Sequence, residues 1–263
     1  MPRFKIVINC GPCEDFIGRC LNSVKEQSYT DFEAWVTTDP CGEDTPRRAL
    51  LAAGDDRRFR VHHNVRRQYS LHNLVQAIGE SKADPEDVIV TLDGDDWFSD
   101  KHALRIIAET YEEFDCWLTY GSWLSNVLGL SGRRDGMWPA YPEGTTEFRR
   151  HRFLGTAVRT WKKWLWNCLK DSDLRDDSGE YVRVSEDQMI MIPMLEMSGT
   201  EKARHIAAPI MTYNKLVKYP DDGGIAAERE RNGRLIDSLP PYPRLTSKMQ
   251  TPMSLRVNRG AST

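Results

Sequence analysis

Apolar residues in the first hundred positions follow two alternating rhythms. Residues 4–8, 32–36, 59–63 and 88–92 are short runs rich in β-branched and aromatic side chains, the pattern of strands buried in a sheet. Between them, residues 14–27 place Phe16, Ile17, Leu21 and Val24 at helical spacing. After the polar loop 37–45, which contains Pro40 and Gly42, residues 46–53 predict a short helix with Thr45 as N-cap and Pro46 at its first position. Residues 70–79 predict a third helix. Strands alternating with helices imply right-handed βαβ units and a parallel sheet, an α/β fold.

Beyond residue 100 the rhythm changes. The pattern predicts an amphipathic helix at 101–114 and a strand at 116–120, then an irregular Gly- and Pro-rich segment at 125–144. Loops that long are uncommon unless functional. A helix with an aromatic face is predicted at 160–169, a Met-rich helix at 187–198, and a strand at 205–213 interrupted by Pro209. After Asp221 the chain turns polar, and from Arg231 onward six basic residues face one acid, Asp237. That stretch, with the Pro-rich 239–243, predicts an extended, partly packed tail. The expected division is a domain over 1–220 and a C-terminal tail over 221–263.

Composition narrows the classes. With 263 residues, 40% apolar and 29% charged, the chain can bury a sizeable core as an ordinary globular protein. No apolar stretch is long enough for a membrane span, and Met1-Pro2-Arg3-Phe4-Lys5 enters a strand without a signal-peptide core. A cytoplasmic protein is the expectation, with peripheral membrane attachment or viral origin compatible with it. A net charge of −3 gives no global footprint for nucleic acid, though a local basic patch is compatible with it. The six scattered cysteines do not suggest a secreted disulfide framework. Cys10-Gly11-Pro12-Cys13, between a strand and a helix, has the local setting of a dithiol redox motif. No tryptophan precedes it, however, and a tight strand-to-helix turn is the plainer reading. Zinc lacks a second CxxC or a paired histidine at suitable spacing.

The most informative junction is Asp93-Gly94-Asp95-Asp96, directly after the apolar run 88–92. Three carboxylates at a strand end repel one another and resist desolvation. A divalent cation would relieve both, and hard oxygen ligands suit Mg²⁺ or Mn²⁺. The C-terminal edge of a parallel sheet is also where open α/β folds bind ligands. The plain alternative is a solvated Asp-Gly turn leading into Trp97.

The order of these pieces resembles a family 2 glycosyltransferase of the GT-A (Rossmann-like) fold, over about residues 4–215. Phe4-Lys5-Ile6-Val7-Ile8-Asn9 is similar to the opening strand, with Asn9 where a proline is usual. Leu21-Asn22-Ser23-Val24-Lys25-Glu26-Gln27-Ser28-Tyr29 is similar to the end of the first helix. The resemblance implies a mainly parallel sheet flanked by helices. Residues 1–100 would be the nucleotide-sugar-binding half and 101–220 the acceptor half, with a C-terminal extension. It implies that Asp39, next to Thr38 where the family has a second acid, contacts the base, and that Asn73 belongs to the same site beside His72, where an arginine is usual. Asn9, Asp93 and Gly94 would meet the donor, and Asp93, Asp95 and Asp96 the metal. Ser185-Glu186-Asp187-Gln188 resembles the family's acidic pair, in which the aspartate is the general base; Asp187 is that residue here, with Glu186 beside it. Chemically, an inverting transfer needs a carboxylate opposite the leaving diphosphate. Two acids at a helix N-terminus would be stabilised by the dipole and a Ser185 cap. The plain reading is that acids are common in first turns. After Thr212-Tyr213-Asn214 no histidine follows to complete the metal site.

Residues 148–166 combine Arg149, Arg150, His151, Arg152, Arg159, Lys162 and Lys163 with Phe148, Phe153, Trp161, Trp164 and Trp166. Trp161, Trp164 and Leu165 share a helical face and read as core. The arginines before them could neutralise a diphosphate or grip an anionic acceptor, and such interleaving also suits nucleic-acid strands. Trp123, Trp138 and Tyr141 are candidate acceptor platforms. The leading reading is a metal-dependent, inverting transfer from a nucleotide-diphosphate sugar, foremost a UDP-sugar, to a glycan or other hydroxyl acceptor. Transfer to hydroxymethylated bases in viral DNA, and a non-catalytic sugar-nucleotide-binding module, are the alternatives.

Overall fold

In a computed structural model, residues 1–42, 44–128, 136–216 and 224–248 are described. The first half is the predicted alternation: β1 (Phe4–Cys10), α1 (Ile17–Lys25), β2 (Phe32–Thr38), α2 (Thr45–Ala53), β3 (Phe59–His63), α3 (Tyr69–Glu80) and β4 (Val88–Asp93). The chain continues through β5 (Trp97–Phe98), α4 (Ala103–Phe114), β6 (Leu118–Gly121), β7 (Leu124–Ser125), β8 (Arg159–Lys162), α5 (Lys163–Trp166) and α6 (Glu186–Lys202). It then passes through β9 (Ala203–Ile206), β10 (Met211–Tyr213) and α7 (Ile225–Ser238).

Seven strands form one sheet in the order β3-β2-β1-β4-β8-β6-β9, and β5, β10 and β7 form a small second sheet. The large sheet is mainly parallel; only β8 runs antiparallel to its neighbours β4 and β6. Alternation along β1 supplies both cores: Phe4, Ile6 and Ile8 pack with α1, α2 and α4, while Val7 faces α3 and α6.

Several expectations change. Residues 160–169 are not one helix: residues 159–162 form a strand, and only Lys163–Trp166 is helical. The inner edge of β4 needs a hydrogen-bonding partner, and that demand outweighs the helical spacing of Trp161, Trp164 and Leu165. Fully buried Trp161 lies opposite Ile89 and Leu118, while the Thr160 hydroxyl meets those of Thr119 and Tyr111 at 2.7 and 2.8 Å. The segment 205–213 divides between the two sheets at Pro209, which has no N–H to donate to a ladder. The α2 N-cap is Asp44, and the Thr45 hydroxyl instead accepts from the Cys13 amide at 3.3 Å.

The polar tail opens as the helix α7 rather than extended chain, and residues 239–245 pack back on α6. Residues 249–263, the rest of the predicted tail, and 129–135 of the predicted long loop lie outside the described residues. Among the described residues no helix is long and apolar enough to cross a membrane.

Candidate active site

The acid run closes the C-terminal end of β4, where Asp93 pairs in register with Asn9 of β1. Gly94 then turns the chain, its amide donating to Asn9 O at 2.8 Å. A Cβ at Gly94 would lie 2.6 Å from Cys10 Sγ and 3.1 Å from Cys13 Sγ, so the turn presses on the cysteine bend and admits only glycine without a shift. Both thiols are buried and free. The hydrogen bond with Cys13, then burial, pushes the Cys10 thiol well above its usual range, opposite to a reactive dithiol. The cysteine motif is a packed turn under the acid loop.

A chain of contacts links the strand end at Asn9 and Asp93 to the start of α6. Asn9 Nδ2 donates to Ser70 Oγ at 3.0 Å, and among the described residues Asn9 Oδ1 has no hydrogen-bond partner. Tyr69, next to Ser70, has a left-handed backbone (φ 67°), which is strained for a bulky residue. The guanidinium carbons of Arg67 and Arg183 lie 4.6 and 4.8 Å from its ring centroid. From Arg183 the chain reaches Ser185, also left-handed at φ 61°, and enters α6 with Glu186 and Asp187. Ser185 occupies the N-cap position but makes no side-chain cap bond, a departure from the expected motif. Asn232 of α7 braces this approach, donating to Val184 O at 2.8 Å. Arg159 closes the ring, its Nη1 3.5 Å from Asp187 Oδ2.

The electrostatics are those of crowded acids around one guanidinium. Burial, then the Asp187 charge, raises the Asp93 pKa, with Arg159 opposing. Burial, then Asp187 and Asp93, pushes Glu186 up to about 7. Burial would lower the Arg159 pKa, but the field of Asp187, Asp93, Glu186 and Asp96 raises it overall. Asp96 is tied to the neighbouring strand: its Oδ1 accepts from the Asn214 amide at 2.8 Å, and burial, then Asp93 and Asp95, pushes it up to about 9. Asp95 is buried in the same loop. Among the described residues no three His, Cys, Asp or Glu side chains converge to hold a metal ion by themselves.

The structure thus joins Asp93, Glu186 and Asp187 to Arg159 in one cluster of charges, with Asn9 and Gly94 beside Asp93 at the strand end. Asp39 and Asn73 lie deeper, joined through Asn64, whose Nδ2 donates to both at 2.8 Å. Asp39 also accepts the amides of Gln68 at 3.1 Å and Tyr69 at 2.8 Å, and so shapes the loop before α3. The arginines at 149–152 serve elsewhere. Arg149 pairs with Glu196 at 2.7 Å, Arg150 pairs with Glu147, and Arg152 covers Trp138. Tyr141 is core, its hydroxyl accepting from the Leu154 amide at 2.9 Å. Tyr213, 40% exposed, stands 4.9 Å from Trp123 and lies in the field of the acid run, so the segment that the resemblance marked for its missing histidine does border the acids.

A mainly parallel sheet with acids at its central strand end, facing a second acidic pair on a helix, is a GT-A architecture. The model for Glycosyl transferase family 2 matches residues 6–165, and the chain belongs to that family. No curated protein matches the chain. Among solved structures, residues 1–349 of TarS from S. aureus in complex with UDP superpose at TM-score 0.62 and 17% identity, covering 89% of this chain and 64% of that one. TarS 1–349 was also solved with UDP-GlcNAc (TM-score 0.59, 17% identity, covering 82% of this chain and 60% of that one). The mannosyltransferase PcManGT from Pyrobaculum calidifontis, with GDP-Man and Mn²⁺, superposes at TM-score 0.55 and 13% identity, covering 88% of this chain and 61% of that one. The chain therefore spans less than two thirds of either protein's crystallised length.

Proposed function

We propose that the protein moves a glycosyl group, with inversion, from a nucleotide-diphosphate sugar to an acceptor hydroxyl, assisted by Mn²⁺ or Mg²⁺. The reading rests on one observation above the rest: Asp93 at the β4 end and Asp187 at the α6 start meet across Arg159, whose guanidinium lies 3.5 Å from Asp187. The Asp187 carboxylate takes the proton from the acceptor hydroxyl. The acceptor oxygen bonds to the anomeric carbon as the bond from that carbon to the diphosphate oxygen breaks, and the nucleoside diphosphate leaves. Glu186, held largely protonated below about pH 7, leaves the base role to its neighbour.

The donor set fits a hard cation. Asp93 and Asp95 would hold it with Asp96 behind them, and their crowding is the charge imbalance a cation relieves. Because these side chains do not converge by themselves, diphosphate oxygens would complete the coordination. Bound there, the cation would offset charge on the departing diphosphate. Asn9, with its unpartnered oxygen, faces the donor, and Asp39 and Asn73 border the base, Asp39 by fixing the loop at Gln68 and Tyr69. The foremost donor is a UDP-sugar, since UDP and UDP-GlcNAc occupy TarS, and GDP-Man in PcManGT makes GDP-sugars the second choice. The acceptor is a glycan or another hydroxyl compound.

Thermal shift with UDP-, GDP- and dTDP-sugars, each with and without Mn²⁺, tests this directly. A ligand bound at a hundred times its Kd stabilises the fold by about 2.7 kcal/mol. The expected result is an Mn²⁺-dependent rise in Tm for one nucleotide class. No rise with any of them would refute the reading.

A further inference from the structure

Arg159 projects onto the cleft for a reason written in the sheet. It pairs with Thr91 across the antiparallel β4–β8 ladder, so both side chains lie on one face. Asp93, two residues beyond Thr91, lies on that face too. The Arg159 side chain is 15% exposed, and its Nε has no hydrogen-bond partner among the described residues. Its ion pair with Asp187, at 3.5 Å, is long for a charge-assisted hydrogen bond. A buried guanidinium with donors unspent, facing an acid pair on one side and the acid run on the other, is suited to a planar anion with paired oxygens.

We propose that Arg159 binds the donor diphosphate and couples donor binding to catalysis: without donor it pairs with Asp187, and with donor its guanidinium turns to the diphosphate oxygens. This inference rests on the nucleotide-sugar reading above and assigns a group that the reading leaves out. The exchange leaves the Asp187 carboxylate clear of the guanidinium, and open to the acceptor hydroxyl, only when a donor is in place. It replaces one anionic partner of Arg159 with another, so the buried guanidinium keeps a counter-charge throughout.

Calorimetric titration of UDP, GDP and inorganic pyrophosphate, each in the presence of Mn²⁺, tests the exchange. Arg159→Met is expected to weaken pyrophosphate and the preferred nucleotide at least tenfold. Arg159→Lys, which keeps the charge but not the fork, should fall between. Asp187→Asn, which releases the guanidinium, should tighten both several-fold, and the gain should vanish when Arg159→Met is added. Circular dichroism checks the fold of each variant. Should Arg159→Met fail to fold, Arg159→Lys and Asp187→Asn still decide the question. Unchanged affinity in the Arg159 variants, unchanged or weaker affinity in Asp187→Asn, or no binding of any of the three anions by the wild type would overturn the proposal. If pyrophosphate follows the expected pattern and neither nucleotide binds better than pyrophosphate, the Arg159 assignment holds and the nucleotide-sugar reading fails.

Discussion

Gly94 illustrates how closely the acid loop is fitted to what lies beneath it. Gly94→Ala would drive a methyl group to 2.6 Å from Cys10 Sγ and is expected to cost about 1–3 kcal/mol in urea denaturation. Cys10→Ala should recover part of that loss, because it removes the sulfur in the way; no recovery would mean the clash lies elsewhere. Asp187→Ala is expected to cut transfer by about 10²–10⁴-fold, the usual contribution of a general base, with the fold retained by circular dichroism. Normal turnover in that variant would remove Asp187 from the base role. These residues were legible in the sequence because acids after a buried strand, or opening a helix, stand out against their surroundings. Arg159 was legible only as one of a basic run that could neutralise a diphosphate, since which of that run reaches the acids depends on strand pairing. Asp39 stood out as an acid after β2, but the amides of Gln68 and Tyr69 that its carboxylate holds did not.

Among the elements, α6 carries the most. Its first turn presents Glu186 and Asp187, its middle is buried from Met189 to Gly199, and it anchors the C-terminal segment. The anchor is Glu196, which accepts two hydrogen bonds from Arg149, at 2.7 and 3.0 Å, and one from the Tyr242 amide at 2.9 Å. Arg149 in turn donates to Ile236 O and Leu239 O at the end of α7. Glu196→Ala would leave the guanidinium buried without its carboxylate and is expected to cost about 3–5 kcal/mol, with Glu196→Gln costing less. Urea denaturation measures both, and a loss below about 0.5 kcal/mol for Glu196→Ala, the range of ordinary surface changes, would contradict the anchor. The parallel strands and their helices could be read from periodicity because each βαβ unit is local. The misreading of β8 as helix has the opposite cause: aromatic spacing fits both structures, and only the open edge of β4, distant in sequence, decides between them. The docking of residues 239–245 likewise depends on Glu196, 46 residues before Tyr242.

At the scale of the whole molecule, two crowded acids hold their protons more tightly in the folded chain than in the unfolded one. Glu186 rises to about 7 and Asp96 to about 9, both above the ordinary carboxylate value of about 4. Between those values the native state binds the extra protons, so stability falls as pH rises. The Tm of the metal-free protein is therefore expected to decline from about pH 5 to about pH 9, and Mn²⁺ with a bound nucleotide should flatten the slope. A Tm that rises with pH over that range would contradict the crowding described for the cleft. The central claim is that the acids at the end of β4 hold a cation beneath a nucleotide diphosphate, across from Asp187. Anomalous diffraction from a crystal soaked with Mn²⁺ and UDP tests it most directly. The account predicts a manganese peak at coordination distance from Asp93 and Asp95, bridged to the diphosphate, with Asp187 facing the same space. Nucleotide bound elsewhere, or a manganese peak away from β4, would contradict it.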